Sequence, residues 1–286
     1  MSEKTSRVLS RGLLHTVIIL IAVVWLIPTI GVLVTSFRPA QDVANSGWWT
    51  VLGNMFDSAR LTLRNYNVVL SRFGVGRAFL NSFIITIPAT IIPLSIALLA
   101  AYALGWMKFF GHTFVFMALI TLLVVPLQMT FIPVLRIFNK LGLAGSFPGI
   151  WLAHSGYGLP LAIYMLYNSI SGLPKELFDS ASIDGASSFH TFLYIVLPLS
   201  VPIVASLAIF QFLWVWNDLL VALIFLGGTP DVAPITVQIS SLVGSYGQDW
   251  ELLTAAVFIS IVPSLAVFFG LQRYFVRGIL AGSIKE

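Results

Sequence analysis

Six windows of this 286-residue chain contain no Lys, Arg, Asp or Glu and are long enough to cross a bilayer: 12–37, 78–107, 109–135, 141–174, 185–217 and 252–272. A spanning helix needs about 20 mostly apolar residues, and within the hydrocarbon it must pair its own backbone N–H and C=O groups. The chain is therefore read as an all-α polytopic membrane protein with six transmembrane helices, at 13–36, 79–104, 113–135, 149–170, 200–226 and 253–273. A barrel does not fit, because barrel strands alternate in hydropathy over roughly ten residues. The first window has too long an apolar core for a signal peptide, and no small-x-small cleavage site follows it. Prolines inside several windows are tolerated as kinks.

Composition removes several kinds of chemistry. With 58% hydrophobic and 9% charged residues, the chain is unlike any soluble domain of its size. Cysteine is absent, so disulfides and thiol chemistry are excluded. The net charge of +4 includes no basic block, so no nucleic-acid surface is read. His15, His112, His154 and His190 lack ligand spacing, which argues against a metal site. No Gly-x-x-x-x-Gly-Lys-Ser/Thr run occurs. With no catalytic constellation either, the chain is not read as an enzyme.

Orientation follows from charges beside the spans. Loop 227–252 has no Lys or Arg and carries Asp231, Asp249 and Glu251, whereas Arg273 and Arg277 follow the last span and Arg7 and Arg11 precede the first. Basic residues favour the cytoplasmic side. Both termini and the polar stretch 174–198 are thus expected in the cytoplasm, with loops 37–78 and 227–252 outside. Arg60, Arg64, Arg72 and Arg77 run against this, although long translocated loops obey the rule less strictly. Trp48 and Trp49 suit either the headgroup level or packing within a small cap, and Leu61–Leu70 reads as a surface helix. The resulting division is a segment 1–12, a transmembrane domain 13–273 that includes the loops 37–78 and 172–199, and a tail 274–286.

The stretch from Pro174 to Pro198 is polar where its neighbours are apolar. Pro174 can open a helix, since a missing N–H costs nothing there. Glu176 and Asp179 fall near the positive end of that helix. Leu177, Ala181 and Asp184 follow one another along one side. Gly185 permits a sharp turn, and Ser187 or Ser188 can cap a second helix. Phe189, Phe192 and Ile195 then form an apolar stripe, and Leu197-Pro198-Leu199, with Pro202, breaks the chain before the fifth span.

Pro174, Glu176-Leu177, Ile183-Asp184-Gly185-Ala186, Phe192, Ile195 and Leu197-Pro198-Leu199 resemble the cytoplasmic signature of binding-protein-dependent ABC permeases. The signature opens Glu-Ala-Ala; here Asp179-Ser180-Ala181 keeps the charge and the small size. Asn65-Tyr66, Asn81-Ser82, Ala101-Tyr102-Ala103, Pro126-Leu127-Gln128 and Trp216-Asn217-Asp218 look like landmarks of the carbohydrate-uptake branch. More narrowly, the chain is similar to the G-type permease of maltose systems. Ser36-Phe37-Arg38-Pro39, Gly47-Trp48-Trp49 and Leu280-Ala281-Gly282-Ser283 resemble the α-glucoside branch, which includes glucosylglycerol importers.

The resemblance implies half of the pore of an ATP-driven sugar importer in a prokaryotic inner membrane. Its implied partners are a related permease, two ATPase subunits that use ATP and Mg2+, an extracytoplasmic solute-binding protein, and the sugar. The chain itself would carry no cofactor. The coupling contact would fall on Glu176, Asp179, Ala181, Asp184, Gly185, Ala186, Leu197 and Pro198. Tyr246 and Trp250 would meet the binding protein.

Three readings of Asn217 and Asp218 stay open. They could bind sugar hydroxyls beside a stacking Trp214 or Trp216, hold a helix break, or lie at the outer interface, where a carboxylate costs little. Gln128, between Pro126 and Pro133, lies on the possible path but is read first as satisfying carbonyls released by a kink. Gly145 and Gly149 give a single Gly-x-x-x-Gly at a span entrance. The competing functions are an ion-coupled secondary transporter, which would place more ionisable groups in mid-membrane, and a non-transporting scaffold.

Overall fold

The computed structural model describes residues 3–53, 61–245 and 249–283, and every regular element among them is helical. Arg60 and Tyr246 lie outside the described residues. The helices are α1 (Glu3–Ser36), α2 (Ala40–Asn45), α3 (Thr50–Gly53), α4 (Arg64–Ser71), α5 (Val75–Trp106), α6 (His112–Val124) and α7 (Leu127–Lys140). They continue with α8 (Phe147–Ile170), α9 (Lys175–Ile183), α10 (Ser188–Thr191), a π segment (Phe192–Val196), α11 (Leu197–Trp216), α12 (Leu220–Leu226), α13 (Ile235–Ser245) and α14 (Trp250–Ser283).

Among the described residues, four stretches are long and apolar enough to cross a membrane: Gly12–Ser36, Val75–Trp106, Ser188–Trp216 and Trp250–Arg273. The chain is an all-α polytopic membrane protein. The pair α6 and α7 meets the same requirement only jointly, and its two halves are bent by 107°. The expected third span, 113–135, is therefore not one straight helix. Pro126 disfavours helical geometry in the residue before it, and Val125 is extended at φ −71° and ψ 118°. α8 coincides with the expected fourth span but is less apolar, carrying His154, Ser155, Asn168 and several glycines.

The fifth span also departs from expectation. It is broken at its far end, where α11 stops at Trp216 and α12 begins at Leu220. At its near end no break occurs. The N–H of Leu197 reaches back five residues to the carbonyl of Phe192, and the helix runs on through Pro198 and Pro202. α14 likewise continues to Ser283, past the expected end of the sixth span.

Chain contacts divide the protein into two compact units, 1–76 with 239–261, and 77–238 with 262–286. In the first, the Asn65 amide donates 2.8 Å hydrogen bonds to the carbonyls of Ser36 and Arg38, and the Tyr66 hydroxyl lies 2.6 Å from Ser36 Oγ. Arg38 is buried and donates to the carbonyls of Asp42 and Ser46 and to Ser46 Oγ. Those carbonyls close α2, where a cation is favoured. Trp48 packs on Gly31, since a β-carbon there would come within 2.8 Å of the indole nitrogen. Of the two readings for the tryptophan pair, packing holds for Trp48, while Trp49 is largely exposed.

In the second unit one core joins α5, α8 and the π segment through Leu98, Tyr102, Leu166, Ile170, Phe192 and Val196. A second core gathers Ile85, Phe131, Ile150, Val221 and Phe225. Asn81 and Ser82 have a local role at the start of α5. The Asn81 amide donates to the carbonyls of Asp231 and Ala233, and Ser82 Oγ accepts from the N–H of Ile235. With the 2.7 Å Arg77–Asp231 ion pair, they hold the segment before α13 against α5.

Candidate functional site

The stretch 174–198 folds as a helix, a glycine turn and a second helix. Pro174 stands at the N-cap of α9, with Glu176 in the first turn and Asp179 one turn later, 3.8 Å from Lys175. The far end of α9 closes through two hydrogen bonds, Gly185 N–H to Ser182 O at 3.1 Å and Ala186 N–H to Ala181 O at 2.9 Å. That pairing is the Schellman motif, and it requires a left-handed residue after the C-cap. Gly185 supplies it at φ +75°. Ser187 then caps α10, its hydroxyl accepting from the N–H of His190.

Between the two helices runs a groove of about 740 Å³, lined by Leu177, Ala181, Asp184, Gly185, His190 and Tyr194 among others. Glu176, Asp179, Asp184 and Gly185 are exposed, whereas Ala181 is buried. The expected apolar stripe divides: Phe192 is buried in the core and Phe189 is exposed. The extra residue in the π segment shifts the phase of the helix beyond it. Leu197 and Pro198 fall in that continuous helix rather than in a break.

One anchor was not anticipated from sequence. Phe178, on the inner side of α9, stacks on Trp106 with ring centroids 3.5 Å apart and planes 14° apart. The Trp106 indole N–H donates to the carbonyl of Ile170 at 2.9 Å. α9 is thereby fixed to the ends of α5 and α8. A lone Phe between Leu177 and Asp179 was the available signal.

The second candidate cluster surrounds the break after α11. The Asp218 carboxylate accepts from the N–H groups of Val221 at 3.3 Å and Ala222 at 2.9 Å. It therefore caps α12, and its backbone carbonyl accepts from Thr236. His154 Nε2 lies 3.8 Å from Asp218 Oδ2, and the imidazole is almost fully buried with Trp214 edge-on at 5.3 Å. Among the sequence readings of Asp218, this geometry belongs to the helix-break reading. Asn217 turns back to donate to its own helix at Leu213. Trp216 is buried in an aromatic cluster with Phe212, Phe79 and Phe83, so only Trp214 of the two is half-exposed.

Trp214 lines a mostly apolar groove of about 470 Å³ with Tyr157, Leu161, Phe210 and Gln211. Gln128 is elsewhere, exposed on α7, and its side chain makes no hydrogen bond among the described residues, so it does not repair a kink. Trp250 is exposed and lines a groove with Arg38 and Trp48 in the first unit. Gly149 is not a helix-packing contact of the Gly-x-x-x-Gly kind: a β-carbon there would lie 2.1 Å from the carbonyl oxygen of Leu143. Gly145 instead turns at φ +73° and donates to Phe225 O at 2.7 Å.

The profile of the family described as "binding-protein-dependent transport system inner membrane component" matches residues 9–281. The chain belongs to this family. It is 57% identical to the osmoprotective compounds uptake permease protein GgtD of Synechocystis sp., over 96% of this chain and 92% of that one. It is 40% identical to the alpha-glucoside transport system permease protein AglG of Rhizobium meliloti, over 95% and 96% of the two chains. A bacterial ABC transporter that imports the acidic polysaccharide alginate shares the fold, with a TM-score of 0.76 at 18% identity over 96% of this chain and 99% of that chain. The protein is thus a permease of the carbohydrate-uptake ABC type, a multi-pass membrane component of a solute importer. It is the non-catalytic component, and ATP and Mg2+ use belongs to the partner ATPase subunits typical of the family.

Proposed function

We propose that this permease forms one half of the translocation pore for a di- or oligosaccharide or a glucoside, foremost one of the α-glucoside or glucosylglycerol kind. Its companions are a related permease, two ATPase subunits and an extracytoplasmic binding protein. The likeness to permeases whose names give osmoprotective compounds and alpha-glucosides supports the substrate class. Six crossings are α1, α5, the bent pair α6 and α7, α8, the rod from Ser188 to Trp216, and α14. Both termini and 172–199 face the cytoplasm, and 37–78 and 227–252 face outward.

The observation that carries the coupling part is the groove beside the Gly185 turn. An acidic helix of nine residues is held rigidly from behind by Phe178 on Trp106 and presents Glu176, Asp179 and Asp184 outward. Such a surface suits a recess on the ATPase that brings basic groups to those acids. Closure of the ATPase dimer would push on α9 and tilt the helices that anchor it. Trp250 contributes to the binding-protein contact, and Trp214 with Asn217 and Gln128 borders the solute path.

The test is uptake into vesicles that hold the complete complex. ATP-dependent accumulation of a glucoside that also stabilises the cognate binding protein against heat is expected. Uptake by this chain alone, driven by an ion gradient, would overturn the proposal.

A further inference from the structure

α5 contains two prolines, Pro88 and Pro93. Proline has no N–H, so each leaves the carbonyl four residues earlier without its helical donor. Those carbonyls belong to Ile84 and Ala89. Both are satisfied from neighbouring helices. The Trp151 indole of α8 donates to Ile84 O at 2.8 Å, and the Gln211 amide of α11 donates to Ala89 O at 3.1 Å. Gly158 of α8 leaves room for the second contact, because a β-carbon there would lie 2.5 Å from Gln211 Oε1 and 2.8 Å from Nε2.

Gln211 also occupies a telling place on its own element. The helix is uninterrupted from Ser188 to Trp216. Tyr194, near its start, lines the groove beside Gly185. Seventeen residues further along, a distance of roughly 25 Å at the helical rise, Gln211 meets the released carbonyl of α5.

We infer that Gln211 is a positioning residue for energy coupling: it ties displacement of the docking end of the Ser188–Trp216 rod to the carbonyl that Pro93 releases in α5. This rests on the importer reading above. In hydrocarbon the released carbonyl has no water to turn to, so the amide is its available donor and the two helices move together. Trp151 ties α8 to the carbonyl that Pro88 releases in the same way.

A double-mutant cycle on the assembled complex tests the assignment: wild type, Gln211→Met, Pro93→Ala and the two changes combined. Methionine keeps the length of the side chain without its donor, and alanine restores the N–H that Ala89 lacks. The readout is the ratio of ATP hydrolysis stimulated by solute-loaded binding protein to basal hydrolysis. Gln211→Met should lower that ratio by about fivefold, the factor that corresponds to one hydrogen bond of ordinary strength. Pro93→Ala, which gives the Ala89 carbonyl an in-helix donor, should lower the ratio to a similar extent, and adding Gln211→Met to it should lower it no further. An unchanged ratio in Gln211→Met would overturn the inference. So would a further fall when Gln211→Met is added to Pro93→Ala, or wild-type stimulation in Pro93→Ala alone, which would show that coupling does not pass through the bond to Ala89. Absence of solute-dependent hydrolysis in the wild-type complex would instead overturn the importer reading.

Discussion

Gly185 offers a graded test of why the turn after α9 needs glycine. A β-carbon at Gly185 would meet nothing within 4 Å, so crowding within this chain is not the reason. Its φ of +75° is. An ordinary side chain in left-handed geometry costs roughly 1–2 kcal/mol, and Asn pays less than most. That cost is a factor of roughly five to thirty in the closed-turn population. It falls on a helix of nine residues, too short to hold itself without its ends. The hydrogen bonds at stake are Gly185 to Ser182 and Ala186 to Ala181, which close α9 beside Asp184. The assay is stimulation of ATP hydrolysis by loaded binding protein in complexes of confirmed composition. Stimulation should fall in the order Gly, Asn, Ala, Val at position 185. Gly185→Trp should fall furthest, because it adds bulk toward the docking partner to the same backbone strain. An alanine variant equal to wild type, or an asparagine variant no better than valine, would refute the backbone argument.

Asp218→Ala should lower the melting midpoint of the complex by the equivalent of about 1–2 kcal/mol, the worth of a helix cap, while Asp218→Asn retains most of the stability; equal midpoints for the two would count against the cap. Phe178→Ala should loosen α9 from Trp106 and reduce stimulated hydrolysis more than basal hydrolysis, since an aromatic pair contributes about 0.5–1.5 kcal/mol beyond its buried area; an unchanged ratio would remove Phe178 from the coupling path. A cysteine at Ser245, in a chain without other cysteines, should react with an impermeant reagent added outside intact spheroplasts and crosslink to the binding protein. Labelling only from the cytoplasmic side would invert the proposed topology. Trp151→Phe should destabilise the complex, and Pro88→Ala should remove that sensitivity; persistence of the effect would detach Trp151 from the carbonyl freed at Pro88.

Much of the architecture was legible because membrane insertion leaves a coarse and strong pattern. Charge-free windows located the apolar part of α1 (Gly12–Ser36), α5, α8 and the start of α14 within a few residues. The conformation of 174–198 was legible for a different reason, since Pro174, Gly185 and Ser187 each act through local backbone geometry that a sequence states directly. What escaped depends on partners distant in sequence. Gln211 and Trp151 read as ordinary residues until their contacts with Ala89 and Ile84 are seen. Prolines were read as tolerated within spans, and α5 does run on through Pro88 and Pro93, but at Pro126 the chain turns through 107°. Asp218 was recognised as costly to bury, yet its capping of α12 depends on where α11 stops. His154 escaped because a single histidine carries no spacing signal; its buried Nδ1 has no hydrogen-bond partner among the described residues.

The π segment at Phe192–Val196 sets the azimuth of everything beyond it. Excising one of its five residues would restore ordinary helical winding and turn the rest of the rod by about 100°. Gln211 would then swing away from Ala89 and Trp214 away from His154, with no change in any contacting residue. The interval between the Gly185 turn and Gln211 is therefore fixed as an angle as well as a length. A one-residue deletion there should be far more damaging than a conservative substitution at any of the five positions.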